Sequence, residues 1–264
     1  MLYIIVLSML LFELTDTKKI ETFNVIFSNM KNFTDTMSIM INSEKMIIQG
    51  MDSSHVLLHD FVFLKDWFDK YEATDNLEFG LNAETISNIL QFHSKGQNIR
   101  LLCDNNDSEV IFFEFLNIDE DCDEMNKYLN TPKIVMEFEG MNIPHVDYDS
   151  EIKINIKKVK SLFSDLSKMG NKITYQCTPD KCSISTTSVK IDVEEKNVVD
   201  YKLLSETDVN LTFSLAFMLN MCKLEKLCDD VNINLSETTP LLFKYNVDEL
   251  LKIQFYLAPY EDDE

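Results

Sequence analysis

Residues 49–56 read Gln49-Gly50-Met51-Asp52-Ser53-Ser54-His55-Val56, and they separate two short apolar runs. The run at 46–48 comes before this stretch, and a second run starts at 56–58. Glycine, aspartate and serine favour turns over regular structure, because their side chains or their backbone freedom compete with strand pairing. The pattern therefore predicts strand, loop, strand.

Outward from this loop, the chain repeats one order of elements twice. Apolar residues at helical spacing in 23–33 match those in 159–169 at a constant offset of 136 residues, beginning with Phe23 against Val159. The helix-forming stretch 213–222 matches 81–90, and the hairpin at 231–245 matches 99–113, both at an offset of 132 residues. Three elements in register predict two similar α+β domains, each with two helices on one face of an antiparallel sheet.

Periodicity also sets the expected elements. Helices are predicted over 22–33, 82–92, 157–169 and 213–222, and strands over 36–41, 46–49, 56–64, 99–103, 109–116 and 133–138, the last of which closes the first half. The apolar segment Met1–Phe12 is too short to cross a bilayer and favours a buried first strand. The turn between Cys177 and Cys182 is typical of a hairpin tip.

Composition excludes several classes of protein. The 264 residues carry a formal charge of -21, and Arg100 is the only arginine, so bidentate reading of base edges is not expected. The six cysteines form no CxxC pair, which favours a reducing compartment and no metal site. The four histidines stand in no nucleophile motif and no glycine-rich phosphate loop is present, so we expect neither an enzyme nor a cofactor.

Three motifs in order carry a family resemblance. QGMDSSHV at 49–56, Met141-Asn142-Ile143-Pro144, and Phe255-Tyr256-Leu257-Ala258-Pro259 resemble the proliferating cell nuclear antigen family, the eukaryotic-type DNA sliding clamps. That family normally begins Met-Phe-Glu, which resembles 11–13 here. The resemblance implies the DNA-clamp fold, divided into an N-terminal apolar extension (1–9), a first clamp domain (10–138), an interdomain connector (139–148), a second clamp domain (149–259) and an acidic tail (260–264).

The function implied by this resemblance is that of a sliding clamp. Three protomers would close head to tail around duplex DNA, with a strand near 108–116 pairing with one near 174–192 of the next protomer. Partners would be a clamp loader, DNA polymerase and other proteins with PIP-box-like peptides, in the nucleus or at a viral replication site, and not a membrane. The alternatives are a monomeric processivity subunit with the clamp fold or one subunit of a hetero-oligomeric checkpoint-type clamp.

The resemblance implies two sets of functional residues, one facing DNA and one forming a peptide-docking groove. Basic residues on the polar sides of the helices, or close to them, are candidates for facing DNA: Lys31, Lys95, Lys157, Lys160, Lys168, Lys223 and Lys226. The family also places basic residues where this chain has Asn24, Val25, Asn88, Gln91 and Ser164. The residues that match the family's peptide-docking groove are Met51, His55, Val56, Leu58, Met141, Ile143, Pro144, Pro240, Tyr256, Ala258 and Pro259.

Overall fold

The computed structural model describes residues 8–260 apart from 74–75, 105–108, 137, 139, 144–145 and 207. The chain divides into two compact units, and each draws on more than one stretch of sequence. The first contains residues up to 50 together with 61–140 and 249–251, and the second contains 51–60, 141–248 and the chain from 252 onward. The predicted apolar extension at 1–9 lies mostly outside the described residues, and so does most of the acidic tail.

The described residues of the first half form these strands and helices before the connector: β1 (Ser8–Leu14), α1 (Thr17–Asn29), β2 (Thr36–Ile41), β3 (Lys45–Met51), β4 (Leu57–Leu64), β5 (Lys70–Tyr71), β6 (Leu77–Asn82), α2 (Ala83–Leu90), β7 (Ile99–Asp104), β8 (Val110–Phe115) and β9 (Lys127–Pro132). In the first unit, one antiparallel sheet has the order β5-β1-β7-β8-β9. The end of β4, at 61–64, is followed by β3, β2 and β6 as consecutive strands of another sheet.

The second half repeats this order. It contains β10 (Ser150–Asn155), α3 (Ile156–Leu166), β11 (Lys172–Cys177), β12 (Cys182–Ser185), β13 (Lys190–Val193), β14 (Asp200–Leu203), β15 (Val209–Ser214), α4 (Leu215–Met221), β16 (Asp230–Leu235), β17 (Leu241–Asp248) and β18 (Leu251–Leu257). The orders β14-β10-β16-β17-β18 and β13-β12-β11-β15 match those of the first half strand for strand. The repeat predicted from the sequence is therefore present in the sheet topology.

Helix starts are fixed by capping side chains. Asp16, Asn82 and Asn155 each accept hydrogen bonds from backbone N–H groups in the first turn of α1, α2 and α3, which satisfies donors that the helix itself leaves open. Because Asp16 provides the cap, α1 begins at Thr17 and not at residue 22 as predicted. Phe23 and Phe27 of α1 stack at 4.0 Å between ring centroids in the core of the first unit.

The prediction of a strand over 133–138 was wrong. The five-stranded sheet ends instead with β9, and among the described residues of 133–138 only Ile134 forms a β-bridge, to Gly80. The β9 sequence is polar and its Tyr128 is 65% exposed, because an edge strand buries little side-chain surface. Hydrophobic alternation therefore could not reveal it.

The predicted ring strands also need correction. The strand near 108–116 is β8, which pairs with β7 on one side and β9 on the other, so it has no open edge for another protomer. Within 174–192, β11 and β12 each have two neighbours as well. The strand that ends the sheet beside β8 is β9, which lies outside the predicted 108–116, whereas β13 ends its sheet and overlaps the predicted 174–192.

Candidate docking groove and DNA-facing surface

The loop at 52–56 is built around one carboxylate. Asp52 accepts hydrogen bonds from the backbone N–H groups of Ser54 (2.9 Å), Val56 (2.8 Å) and Leu57 (2.7 Å), and also from the Ser54 hydroxyl. Partial burial alone would raise the pKa of Asp52, but these donors together hold it below its usual value. His55 takes a left-handed backbone with φ 58°, so it lies in a turn within the predicted loop.

The C-terminal segment lies against this loop. The N–H of Ala258 donates to the carbonyl of Val56 at 3.0 Å, and the N–H of Tyr260 donates to the carbonyl of Thr212 at 2.8 Å. The Lys172 ammonium lies 4.1 Å from the centroid of the Tyr260 ring, a cation–π contact. The family's signature loop and its C-terminal motif are therefore brought together within the second unit.

The other groove candidates vary in exposure. Met51 is 41% exposed, and His55 and Pro240 are also exposed. Half-buried candidates are Val56, Leu58, Met141, Ile143, Tyr256, Ala258 and Pro259. Pro144 lies outside the described residues. A surface of half-buried apolar side chains beside an exposed methionine suits the capture of a peptide with an apolar plug.

Next to these residues lies a cavity of about 820 Å³ in the second unit. Ile143 and Tyr256 are the two groove candidates that line it. The remaining lining residues are Val146, Asp147, Tyr148, Asp149, Glu151, Leu204, Asn232, Asn234, Leu242, Lys244, Lys252 and Gln254. Burial raises the pKa of both Tyr148 and Tyr256, so both hydroxyls stay protonated.

Sequence reasoning missed the polar floor of this cavity. Glu151, Asn232, Asn234 and Lys244 alternate along β10, β16 and β17 with buried apolar residues, which is the ordinary pattern of a half-solvated sheet. That alternation marks the outward side of the sheet. It carries no signal that Ile143, Val146, Asp147 and Tyr148 of the connector contribute to a cavity over this side.

A half-buried ion pair was also missed. The Asp60 side chain of β4 is 4% exposed, and its Oδ2 atom lies 2.6 Å from Nζ of Lys252 on β18, whose side chain is 42% exposed. Burial lowers the pKa of the neighbouring His59 to about 4, so this imidazole is neutral at physiological pH. Lys252 therefore contributes a positive charge that stabilises the Asp60 carboxylate.

The candidate DNA-facing lysines differ in whether they form an ion pair with another described residue. Lys160 lies 2.6 Å from Glu225, and Lys168 lies 2.7 Å from Asp165, so both charges are partly compensated within the protomer. Four exposed lysines form no ion pair with another described residue: Lys31, Lys95, Lys157 and Lys226. Lys223 is exposed as well. No sequence pattern could reveal the Lys160 partner, because Glu225 is distant along the chain.

Two further features bear on the kind of site. Within the described ranges of 8–260, no group of three or more His, Cys, Asp or Glu residues could hold a metal ion. None of the helices in the same ranges is both long and apolar enough to cross a membrane.

This fold of two α+β repeats, each with two helices and antiparallel sheets, is the DNA-clamp fold. The family model for the N-terminal domain of proliferating cell nuclear antigen matches residues 11–138, and the model for the C-terminal domain matches 142–260. The chain belongs to the proliferating cell nuclear antigen family. Members of this family are non-enzymatic clamps that encircle DNA and bind polymerases and other proteins.

Proposed function

We propose that three copies of this chain close head to tail into a ring that encircles duplex DNA and tethers DNA polymerase and other proteins during replication. Clients dock through PIP-box-like peptides in the groove, and a clamp loader opens the ring. The protein acts where DNA is copied, in the nucleus or at a viral replication site. Its role is topological, so a few lysines in contact with phosphates suffice despite the net charge of -21.

One observation supports the head-to-tail pairing of protomers. Within the second unit, residues 57–60 of β4 lie beside β18, as the hydrogen bond from the N–H of Ala258 to the carbonyl of Val56 indicates. In the repeat, β9 is the counterpart of β18, and β13 is the counterpart of β4. β9 and β13 both lie at the edge of a sheet. If β9 of one protomer pairs with β13 of the next as β18 pairs with β4, the contact is heterologous and generates a ring when the rotation closes.

Solution mass tests this assembly directly. Light scattering behind size exclusion, over a concentration series, is expected to give a stable molar mass near three times the 30.7 kDa of one chain. A mass of 30.7 kDa at every concentration would contradict the self-closing ring and would favour a monomeric processivity subunit. A mass of three protomers only in the presence of another protein would favour a hetero-oligomeric clamp.

Lysines that form no ion pair within the protomer should contribute most to DNA binding. The Lys157→Ala change is expected to lower the salt slope of log K for a short duplex by about 0.9, the value for one phosphate contact. Lys160→Ala should change that slope less, because Glu225 already compensates this charge. Fluorescence anisotropy over a salt series measures both slopes.

A matched change tests this interpretation in the opposite direction. Glu225→Gln removes the partner of Lys160 without removing a lysine, so the salt slope is expected to become steeper than in the original chain. Equal slopes for Lys157→Ala and the unaltered clamp would show that Lys157 does not face DNA.

A further inference from the structure

The cavity in the second unit has a polar floor that faces away from the helices. Glu151 of β10 pairs with Asn234 of β16, and Asn234 pairs with Leu242 of β17, so these residues form one row across three strands. Their neighbours Ile152 and Ile233 are buried in the core on the opposite side of the sheet. The row therefore belongs to the outward side, where the cavity lies.

Asn234 is unusual among the residues of this floor. It is 9% exposed, and its Nδ2 atom lies 3.5 Å from Oε1 of Glu151. A carboxylate only accepts hydrogen bonds, so the amide nitrogen faces Glu151 and the amide oxygen points elsewhere. That Oδ1 atom is buried and has no hydrogen-bond partner among the described residues. A buried acceptor of this kind is unfavourable unless a donor reaches it.

The charges of the cavity favour a cationic donor. Three carboxylates line it (Asp147, Asp149 and Glu151) against two ammonium groups, of which Lys252 is paired with Asp60 at 2.6 Å. Asp149 accepts a hydrogen bond from the backbone N–H of Glu237 at 2.9 Å. Besides the Lys244 ammonium, the floor thus presents two acceptors, the Glu151 carboxylate and the Asn234 carbonyl.

We propose that this cavity receives the guanidinium group of an arginine from the docked client peptide, which donates to the Glu151 carboxylate and to Oδ1 of Asn234. A guanidinium group has five N–H donors in a planar fork and can serve two acceptors at once, whereas a lysine ammonium acts as a point charge. Ile143 and Tyr256 belong both to the groove candidates and to the cavity lining, so a peptide in the groove passes the cavity. The inference rests on the proposed peptide docking.

A double-mutant cycle tests the contact. The probes are synthetic PIP-box peptides in which one arginine is scanned through the positions flanking the plug, each with a partner peptide that carries citrulline, the uncharged isostere, at that position. At one position, citrulline is expected to weaken binding to the full chain about tenfold, as for a lost charged hydrogen bond. Glu151→Gln should lower the affinity for the arginine peptide to that of the citrulline peptide, and it should leave the affinity for the citrulline peptide unchanged.

A matched charge control separates a local contact from the field of the whole protein. Glu120→Gln makes the same chemical change at an exposed residue of the first unit, and it should leave both affinities unchanged. Equal weakening by Glu120→Gln and Glu151→Gln would overturn the proposal. So would equal affinities of arginine and citrulline peptides at every position.

Failure of the cavity and failure of the groove give different results. If PIP-box peptides bind but arginine brings no gain, the cavity proposal is wrong and docking stands. If no peptide binds, docking is wrong, and the cavity is tested alone with arginine amide and citrulline amide. Arginine amide alone is then expected to shift the side-chain amide signal of Asn234 in NMR spectra, and the absence of that shift would overturn the cavity proposal.

Discussion

Asn130→Pro is expected to convert the proposed ring into monomers while each protomer stays folded. The N–H of Lys133 donates to the carbonyl of Glu109 at 2.7 Å, and bonded and non-bonded pairs alternate along an antiparallel ladder. Asn130, opposite Phe112, therefore forms a non-bonded pair, and its N–H points to the open edge of β9. Proline removes this N–H and is tolerated on edge strands.

Light scattering measures the result. We expect the mass of Asn130→Pro to fall to that of one chain, with an unchanged far-UV circular dichroism spectrum, whereas the Asn130→Ala control should keep the mass of the original chain. A proline variant that remains trimeric would show that β9 does not form the contact between protomers.

A second proline variant tests which strand is the partner. The N–H of Thr186 donates to the carbonyl of Val189 at 2.8 Å, so by the same alternation Lys190, opposite Ser185, points its N–H to the open edge of β13. Lys190→Pro alone should also be monomeric. Asn130→Pro keeps an intact β13, and Lys190→Pro keeps an intact β9. Mixing the two is therefore expected to give a dimer with one contact, which a symmetric face-to-face interface would not explain.

The sequence predicted those parts of the fold that depend on local periodicity. The four helices and the register of the repeat follow from apolar spacing, because a helix that covers a sheet must bury one side. Edge strand β9 was missed, since a strand with one open edge and little buried surface shows no apolar alternation. One of the two ring strands was consequently placed on β8, which already has two neighbours.

In the candidate site, too, local features could be predicted from the sequence and long-range features could not. A loop within 49–56 was predicted from Gly50, Asp52 and the two serines, and the Asp52 carboxylate explains why the observed loop at 52–56 closes as it does. The cavity floor and the ion pairs depend on residues that are far apart in sequence, such as Glu151 with Asn234 and Lys160 with Glu225. Local patterns carry no information about such pairs, so only the folded chain reveals them.

Lys252→Met is expected to destabilise the second unit by about 1–3 kcal/mol, between the effects of breaking an exposed and a buried ion pair, because Asp60 is buried whereas the Lys252 side chain is 42% exposed. Methionine keeps most of the aliphatic volume of lysine but removes the ammonium group that lies 2.6 Å from Asp60. The Asp60 carboxylate, with 4% of its side chain exposed, then loses the ammonium group that lies closest to it among the described ion pairs. Adding Asp60→Asn removes the negative charge and should restore part of the loss.

The expected size of this effect can be checked against an exposed pair. Lys65→Met breaks the pair with Glu44, whose side chains are 44% and 67% exposed, and should cost at most about 1 kcal/mol. Urea unfolding at one fixed protein concentration, followed by far-UV circular dichroism, compares the variants. Fluorescence suits this poorly, because the one tryptophan of the chain, Trp67, lies in the first unit. Equal losses in the free energy of unfolding for Lys252→Met and Lys65→Met would mean that water stabilises the Asp60 carboxylate as effectively as the Lys252 ammonium does.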